Sequence, residues 1–402
     1  MNATPPMVLY DDTAARMLEP FALTRPLGEV RAGAELIRER WERVTAVRAS
    51  GFISAPHLAG FTEFGSPGTV TGVLEAGTLL VNARFAPAIG APLTAGDVWT
   101  SDGHVVAVRL TAPIDSAALS DGTATLDRIA ADAASVPIEG WWIHHVWDLI
   151  RYLPAMLGAD ISALAPEGDA PPAQMAVIGE HEVRVARGAY IEPFVFADTT
   201  AGPVLVRSGA RVCAFTRLVG PCVIGEHSVV GGGRIAACSI GDHARVHGEM
   251  SMTIVIGHAN KGHDGFVGHS VIGRWANFGA GTITSNLKNS YGTVSLWTPR
   301  GVTSTDLQFL GSMVGDHAKT GIGTRLTTGS VIGAGANVFG TSMLPKFVPP
   351  FAWGDAPPYG TFELAKFLEV AERVMARRET PLSDTMRRML SAAWERRERF
   401  TP

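Results

Sequence analysis

Cysteine is scarce in this chain. Its three residues, Cys213, Cys222 and Cys238, contain no CxxC pair. That argues against a disulfide framework or a four-cysteine zinc site and points to buried free thiols in a reducing compartment. Charge is sparse too, at 18% of residues, and a net −4 offers nothing to a nucleic acid. No apolar run approaches the ~20 residues a helix needs to cross a bilayer. The start, Met-Asn-Ala-Thr-Pro-Pro, lacks the basic flank and apolar run of a signal peptide. The expectation is a cytoplasmic protein with neither a membrane nor a nucleic-acid partner. What the chain does have is length, 402 residues, a 46% hydrophobic fraction and 45 glycines. Two or three domains fit that length.

Much of the glycine lies in one repeating stretch. Val206, Val212, Leu218, Ile224 and Val230 stand six apart, as do Phe266, Ile272, Phe278 and Thr284, and again Val314, Thr320, Leu326, Ile332 and Val338. Gly, Ala, Ser and short polar residues fill the intervals. Six matches neither a 3.6-residue helix nor a two-residue strand alternation. It predicts a hexapeptide parallel β-helix, in which each short strand points one aliphatic side chain into a narrow prism and small residues turn the corners. A single coil cannot bury its apolar face, so the coils must stack. The alternative is an ordinary glycine-rich all-β domain.

Before the repeat, residues 7–11 and 79–83 read as buried strands, and residues 97–110 as an edge hairpin around Asp102-Gly103. Helices are predicted over 29–44, 126–134 and 147–157, the last kinked or ended by Pro154. This alternation predicts an α/β domain over residues 1–165, with the Pro-rich stretch 165–172 as linker. The coils should occupy 175–348, and prolines end them. A helical tail at 355–402 carries two apolar stripes, with Thr380-Pro381 capping the second helix. Its arginines alternate with acids, as on a solvated face.

The run Asn260-Lys261-Gly262-His263-Asp264-Gly265-Phe266, together with Gly248-Glu249, Ser285-Asn286-Leu287-Lys288-Asn289-Ser290-Tyr291, Gly315-Asp316-His317 and Pro345-Lys346-Phe347, resembles a group of variant bacterial proteins. These are similar to the bifunctional N-acetylglucosamine-1-phosphate uridyltransferase / glucosamine-1-phosphate acetyltransferase. The resemblance extends to Leu9-Tyr10-Asp11-Asp12, to Thr24-Arg25-Pro26 and to the tail around Arg373. It implies a nucleotidyltransferase-like α/β domain, a left-handed β-helix that assembles as a homotrimer, and acetyl-CoA as acyl donor to an amino-sugar phosphate between subunits. Mg²⁺ is implied if the first domain is active.

His263 then falls on the family's general base, and imidazole has the pKa for that task near neutrality. A corner histidine is the structural alternative, the reading preferred for His227, His243 and His317. Asn286 falls on the residue that orients the acceptor, or else is a left-handed turn residue. Lys261, Glu249, Lys288, Tyr291 and Phe266 fall on the sugar-phosphate side, with Phe266 in place of a tyrosine. A backbone N–H of the corner Gly279-Ala280-Gly281 would face the oxyanion, with Gly279 and Gly281 counted as cofactor-binding, and Asp316 and Lys319 would face CoA. In the first domain the family's Gly-rich loop is missing. Asp11, Arg16 and Arg25 are the remaining candidates for nucleotide or metal, with ion pairs or a helix cap as the alternative, and Asn82 stands where a metal-binding Asp is expected. Competing readings are a nucleotidyltransferase acting mainly through residues 1–165, a metal-dependent hydratase using His258 and His263, and a non-catalytic trimer that binds sugar nucleotides.

Overall fold

The structure is a computed structural model that describes residues 5–131, 133–165, 168–340 and 342–400. Pro166 and Glu167, in the middle of the expected linker, lie outside the described residues. The strand Met7–Tyr10 is buried throughout and pairs in parallel with Ala49–Ile53 on one side and Leu79–Asn82 on the other. Its alternation divides two cores. Met7 and Leu9 face the helices Ile37–Thr45 and Leu153–Leu164, while Val8 and Tyr10 pack with Leu80, Val98, Val108 and Leu126.

Several local expectations need correction. The expected helix over 29–44 begins only at Ile37, and residues 30–36 are not helical. They form a tight hairpin, Arg31–Ala32 with Glu35–Leu36, around Gly33 at φ +64°. A Cβ there would stand 2.2 Å from the Asp160 carboxylate. The helix expected over 147–157 is broken before Pro154, into Asp148–Arg151 and a longer second helix, Leu153–Leu164, whose first turn holds the proline, where it lacks only an N–H that has no helical partner. The helix after Thr125 stops at Ala130, where Ala131 turns to positive φ. The strands Val98–Ser101 and His104–Arg109 do form a hairpin, but Val136–Pro137 takes the edge outside it. In the tail, Ser383 and not Thr380 caps the second helix, its hydroxyl accepting from the Met386 N–H.

The repeat region is a parallel β-solenoid. One of its faces is a nine-stranded sheet running from Val183–Val185 to Phe347–Val348. The six-residue anchors point inward: Val206, Val212, Leu218, Ile224, Val230, Val314, Ile332 and Val338 are fully buried. Phe266 departs from the row. It is half-buried, and Val267 takes the inward place opposite Met250. The outward residues of the nine-stranded face, among them Leu205, Val223, Ile254, Val271 and Met313, are apolar as well and join the core of the first domain. The helix Leu153–Leu164 therefore lies on the solenoid wall. Successive coils on this face follow at intervals below 25 residues until Val271–Ile272, whose next neighbour is Ser312–Val314. The chain between leaves the coil beyond Thr284 and makes an antiparallel hairpin, Ser295–Thr298 with Gly301–Ser304.

Two corners of the solenoid differ in character. At one, His227, His243, His258, Trp275 and His317, all at positive φ, stack in sequence at ring separations of 5.0, 4.7, 4.7 and 6.3 Å. Phe64 of the first domain lies on His258 at 3.9 Å. At another, the exposed Phe194 and Phe215 hold the positive-φ place on the early coils, and Gly232, Gly233, Gly248 and Gly265 hold it on the later ones, so there the corner carries no side chain at those positions. The tail helices Leu364–Ala376 and Asp384–Glu395 share a core with Leu58 and Phe61 of the first domain and with Trp275 and Phe351 of the coils.

Candidate active sites

The glycine corner opens into a shallow cleft of about 380 Å³ lined by His247, Gly262, His263, Asp264, Ala280 and Gly281. His263 is exposed, outside the prism, and its ring has no hydrogen-bond partner among the described residues. Beside it, His247 Nε2 lies 3.0 Å from Asp264 Oδ1. Lys261 is buried, and its ammonium donates to the carbonyls of His247 and His263. Burial pushes its pKa down to about 8. It ties the loop together and is not free to meet a phosphate. Of the three residues 279–281, Gly279 donates to Thr320 O and Gly281 to Asp264 O. The Ala280 N–H has no acceptor among the described residues, so of the three it is the one left to meet a ligand.

Asn286 stands at the foot of the excursion, its Nδ2 2.9 Å from His269 Nδ1. Burial lowers the His269 pKa to about 4, so the ring is neutral and Nδ1 accepts. That assigns the amide orientation and leaves Asn286 Oδ1 free to accept from a ligand N–H or O–H. Phe266 packs against Gly268, where a Cβ would come within 2.4 Å of its ring and 2.7 Å of Asn286 Nδ2. Lys288 donates to Thr293 O within its own loop. Tyr291 is exposed at positive φ, and Glu249 is exposed on the strand Arg245–Ser251. Asp316 lies at the histidine corner rather than with His263. It is 2% exposed and accepts from Arg25 Nε at 2.7 Å, Thr24 Oγ1 at 2.8 Å and the Arg274 N–H at 2.8 Å. Lys319 donates to His317 O at 2.9 Å, and burial lowers its pKa to about 8. His258 is buried in the ring stack, away from the cleft, and no group of three His, Cys, Asp or Glu suited to a metal occurs among the described residues.

The first domain has a second cleft, about 430 Å³, at the carboxyl ends of Met7–Tyr10 and Leu79–Asn82. The chain crosses from one side of Met7–Tyr10 to the other here, which is where open α/β sheets take ligands. Asp12, Asn82, Arg84, His104, Asp127, Trp142 and His144 line it. Arg84 donates to both oxygens of Asp12, at 2.7–3.0 Å, and lies 5.1 Å over the Trp142 ring. The sequence-predicted residues are engaged elsewhere. Asp11 is buried and accepts from the Leu27 N–H and the Ser54 hydroxyl, and burial raises its pKa to about 6. Arg16 donates to the carbonyls of Asp11 and Ser120. Arg25, 1% exposed, is committed to Asp316 and Glu63. This donor set is a poor fit for Mg²⁺, because Arg84 holds a fixed positive charge on Asp12, and the other carboxylate of the lining, Asp127, already accepts from the Val105 N–H at 2.9 Å.

Residues 7–167 match the family model of sugar nucleotidyl transferases. The first domain is thus nucleotidyltransferase-like. A stretch of 98 residues is 31% identical to the bifunctional protein GlmU of Methanococcus vannielii, covering 24% of this chain and 23% of that protein. Another comparison, over 100 residues at 30% identity, is with the bifunctional sugar-1-phosphate nucleotidylyltransferase/acetyltransferase of Sulfurisphaera tokodaii, covering 25% of each. The chain spans about a quarter of the length of these curated relatives. Among solved structures, a hexapeptide transferase family protein from Anaplasma phagocytophilum aligns at 16% identity with a TM-score of 0.28, covering 52% of this chain and 98% of that one. That likeness is too slight to add to what the coil register shows.

Proposed function

We propose that the solenoid catalyses acetyl transfer from acetyl-CoA to the amine of an amino-sugar phosphate, glucosamine 1-phosphate being the simplest acceptor. The observation that carries this is the unpartnered His263 imidazole in a glycine-walled cleft, where a thioester and an amine can meet without steric hindrance from the corner. His263 takes the proton as the amine nitrogen attacks the thioester carbonyl. The C–N bond forms, the C–S bond breaks, and the CoA sulfur leaves as the thiol after protonation. Ala280 N–H faces the developing oxyanion, and Asn286 Oδ1 orients the acceptor. Two further copies of the chain complete the cleft in a trimer, and the mass of the protein in solution tests this. The name of the Sulfurisphaera tokodaii relative, which couples nucleotidylyl with acetyl transfer, supports the reading.

The decisive experiment supplies glucosamine 1-phosphate and acetyl-CoA and follows free thiol. His263→Ala should lose ~10²–10⁴-fold in rate, the usual contribution of a positioned base. An unchanged rate removes His263 from the mechanism. A second reading, nucleotidyl transfer in the first domain, is favoured by the family match and by the strand-end cleft. The Arg84–Asp12 pair speaks instead for sugar-nucleotide binding without transfer, since it occupies the carboxylate that a catalytic cation would need.

A further inference from the structure

The excursion hairpin reaches the first domain. Its root is pinned on both sides, with Arg151 Nη2 donating to Thr305 O at 2.7 Å and Lys346 Nζ to Ser295 O at 3.2 Å. Its tip is stiffened by Thr298, whose hydroxyl donates to Gly301 O at 2.8 Å and accepts from the Arg300 N–H at 3.2 Å. The tip roofs a slot of about 130 Å³ whose other walls are residues 14–19 and 144–147. Met17, Leu18, Val146, Trp147 and Pro299 make it largely apolar. His144 lines both this slot and the strand-end cleft, so the two spaces are neighbours that share one wall residue.

The charges around the slot are uneven. Arg84, Arg16 and Arg25 are engaged as described above, and no Gly-rich loop supplies backbone N–H groups for a phosphate. Arg300 is exposed and has no acidic partner among the described residues. His144 Nδ1 lies 3.3 Å from Arg84 Nη1. Arginine only donates, so Nδ1 accepts and the proton sits on Nε2 as a second donor. The carboxyl group in the wall, Glu19, is buried, and burial pushes its pKa up to about 8. At neutral pH it presents a neutral acid, which does not repel an anion.

We propose that this slot binds the ring of a phosphate ester, with Arg300 and His144 holding the phosphate at the mouth of the strand-end cleft. The slot is small for a whole nucleotide, since ligand pockets usually run to ~300–1,000 Å³. One ring fits here while the remainder of the ligand extends into the neighbouring cleft. The solenoid thereby supplies, through Arg300, the cation that the first domain lacks. The same excursion carries Asn286 at its base, so one segment of chain serves both clefts. The choice of ligand class rests on the reading of residues 7–167 as a sugar-phosphate or nucleotide domain.

The test is calorimetric titration of the full chain with glucosamine 1-phosphate, UMP and UDP-N-acetylglucosamine in separate arms. Variants are Arg300→Ala, Arg300→Lys and, as a control, Arg187→Ala, an exposed arginine on the first coil. Binding of the first ligand alone identifies the ring as the sugar, and binding of UMP identifies it as the base. Either way Arg300→Ala should weaken binding ~10–100-fold, as loss of a charged hydrogen bond does. Arg300→Lys should recover part of it, and Arg187→Ala should match wild type. Equal affinity in wild type and Arg300→Ala, an equal loss in Arg187→Ala, or no binding of any of the three at millimolar concentration overturns the proposal. A separate assay of pyrophosphate release from UTP and glucosamine 1-phosphate separates the outcomes, because binding in the titrations without turnover in that assay sinks nucleotidyl transfer and leaves the slot standing.

Discussion

Replacing Arg25 by Met tests whether the first domain and the solenoid are locked by charge. The guanidinium is 1% exposed and sits 2.7 Å from Asp316 and 3.2 Å from Glu63, both 2% exposed by side chain. Arg274 completes the cluster, its Nε 3.5 Å from Glu63 Oε2. Two cations and two carboxylates therefore balance in a dry interface. Methionine fills most of the space but leaves one carboxylate without compensation. Breaking a buried pair in this way costs about 3–5 kcal/mol. The unpaired acid can escape part of that by taking a proton, so the deficit should be smaller at pH 5.5 than at pH 8. Urea unfolding at both pH values measures it. The comparison is Arg109→Met, whose pair with Asp97 at 3.4 Å is largely solvated and should matter by no more than about 1 kcal/mol. If Arg25→Met costs no more than Arg109→Met at pH 8, the interface does not depend on this cluster and the argument fails.

Two further changes test the same architecture. The folded state holds Glu19 protonated to about pH 8, against 4.5 for the ordinary carboxyl. It therefore binds more protons than the unfolded chain in that window, and stability falls as pH rises from about 4.5 through 8. Glu19→Gln should flatten this slope in thermal melts taken between pH 5 and pH 9, and an unchanged slope assigns it to other groups. Gly33→Ala should cost ~2–4 kcal/mol, combining the left-handed penalty with overpacking. The added Cβ would sit 2.2 Å from Asp160 Oδ2 and 2.8 Å from Met156, and Gly33 O also accepts from Ser239 of the solenoid at 2.6 Å. A melting temperature equal to wild type would contradict this packing.

Where the sequence was read correctly, a short-range rule was at work. The six-residue anchors are legible because each coil repeats one local geometry, and the inward positions from Val206 to Val338 follow from spacing alone. The buried strands at Met7 and Leu79 are legible because both faces must be apolar. Residues 30–36 carry a helical pattern but fold as a hairpin because Gly33 answers to Asp160 and Ser239, residues 127 and 206 positions away. Phe266 was misplaced because a coil can shift its register by one residue without altering composition.

The candidate sites divide along the same line. Motif spacing pointed to His263 and Asn286, and chain order alone brings Gly281 beside His263 in adjacent coils. Spacing could not show that Lys261 is spent on two carbonyls, or that Asp316 and Arg25 are spent on each other. Nor could it show that Arg84 closes on Asp12 or that Arg300 hangs over another domain. Which charges remain free depends on which partners the fold brings within ~4 Å, where Coulomb energies in a dry interface dominate. Partners as far apart in the chain as Arg25 and Asp316 leave no periodic trace in sequence. The coil is written in local repetition, and the availability of each charged group is decided only when the first domain docks on its wall.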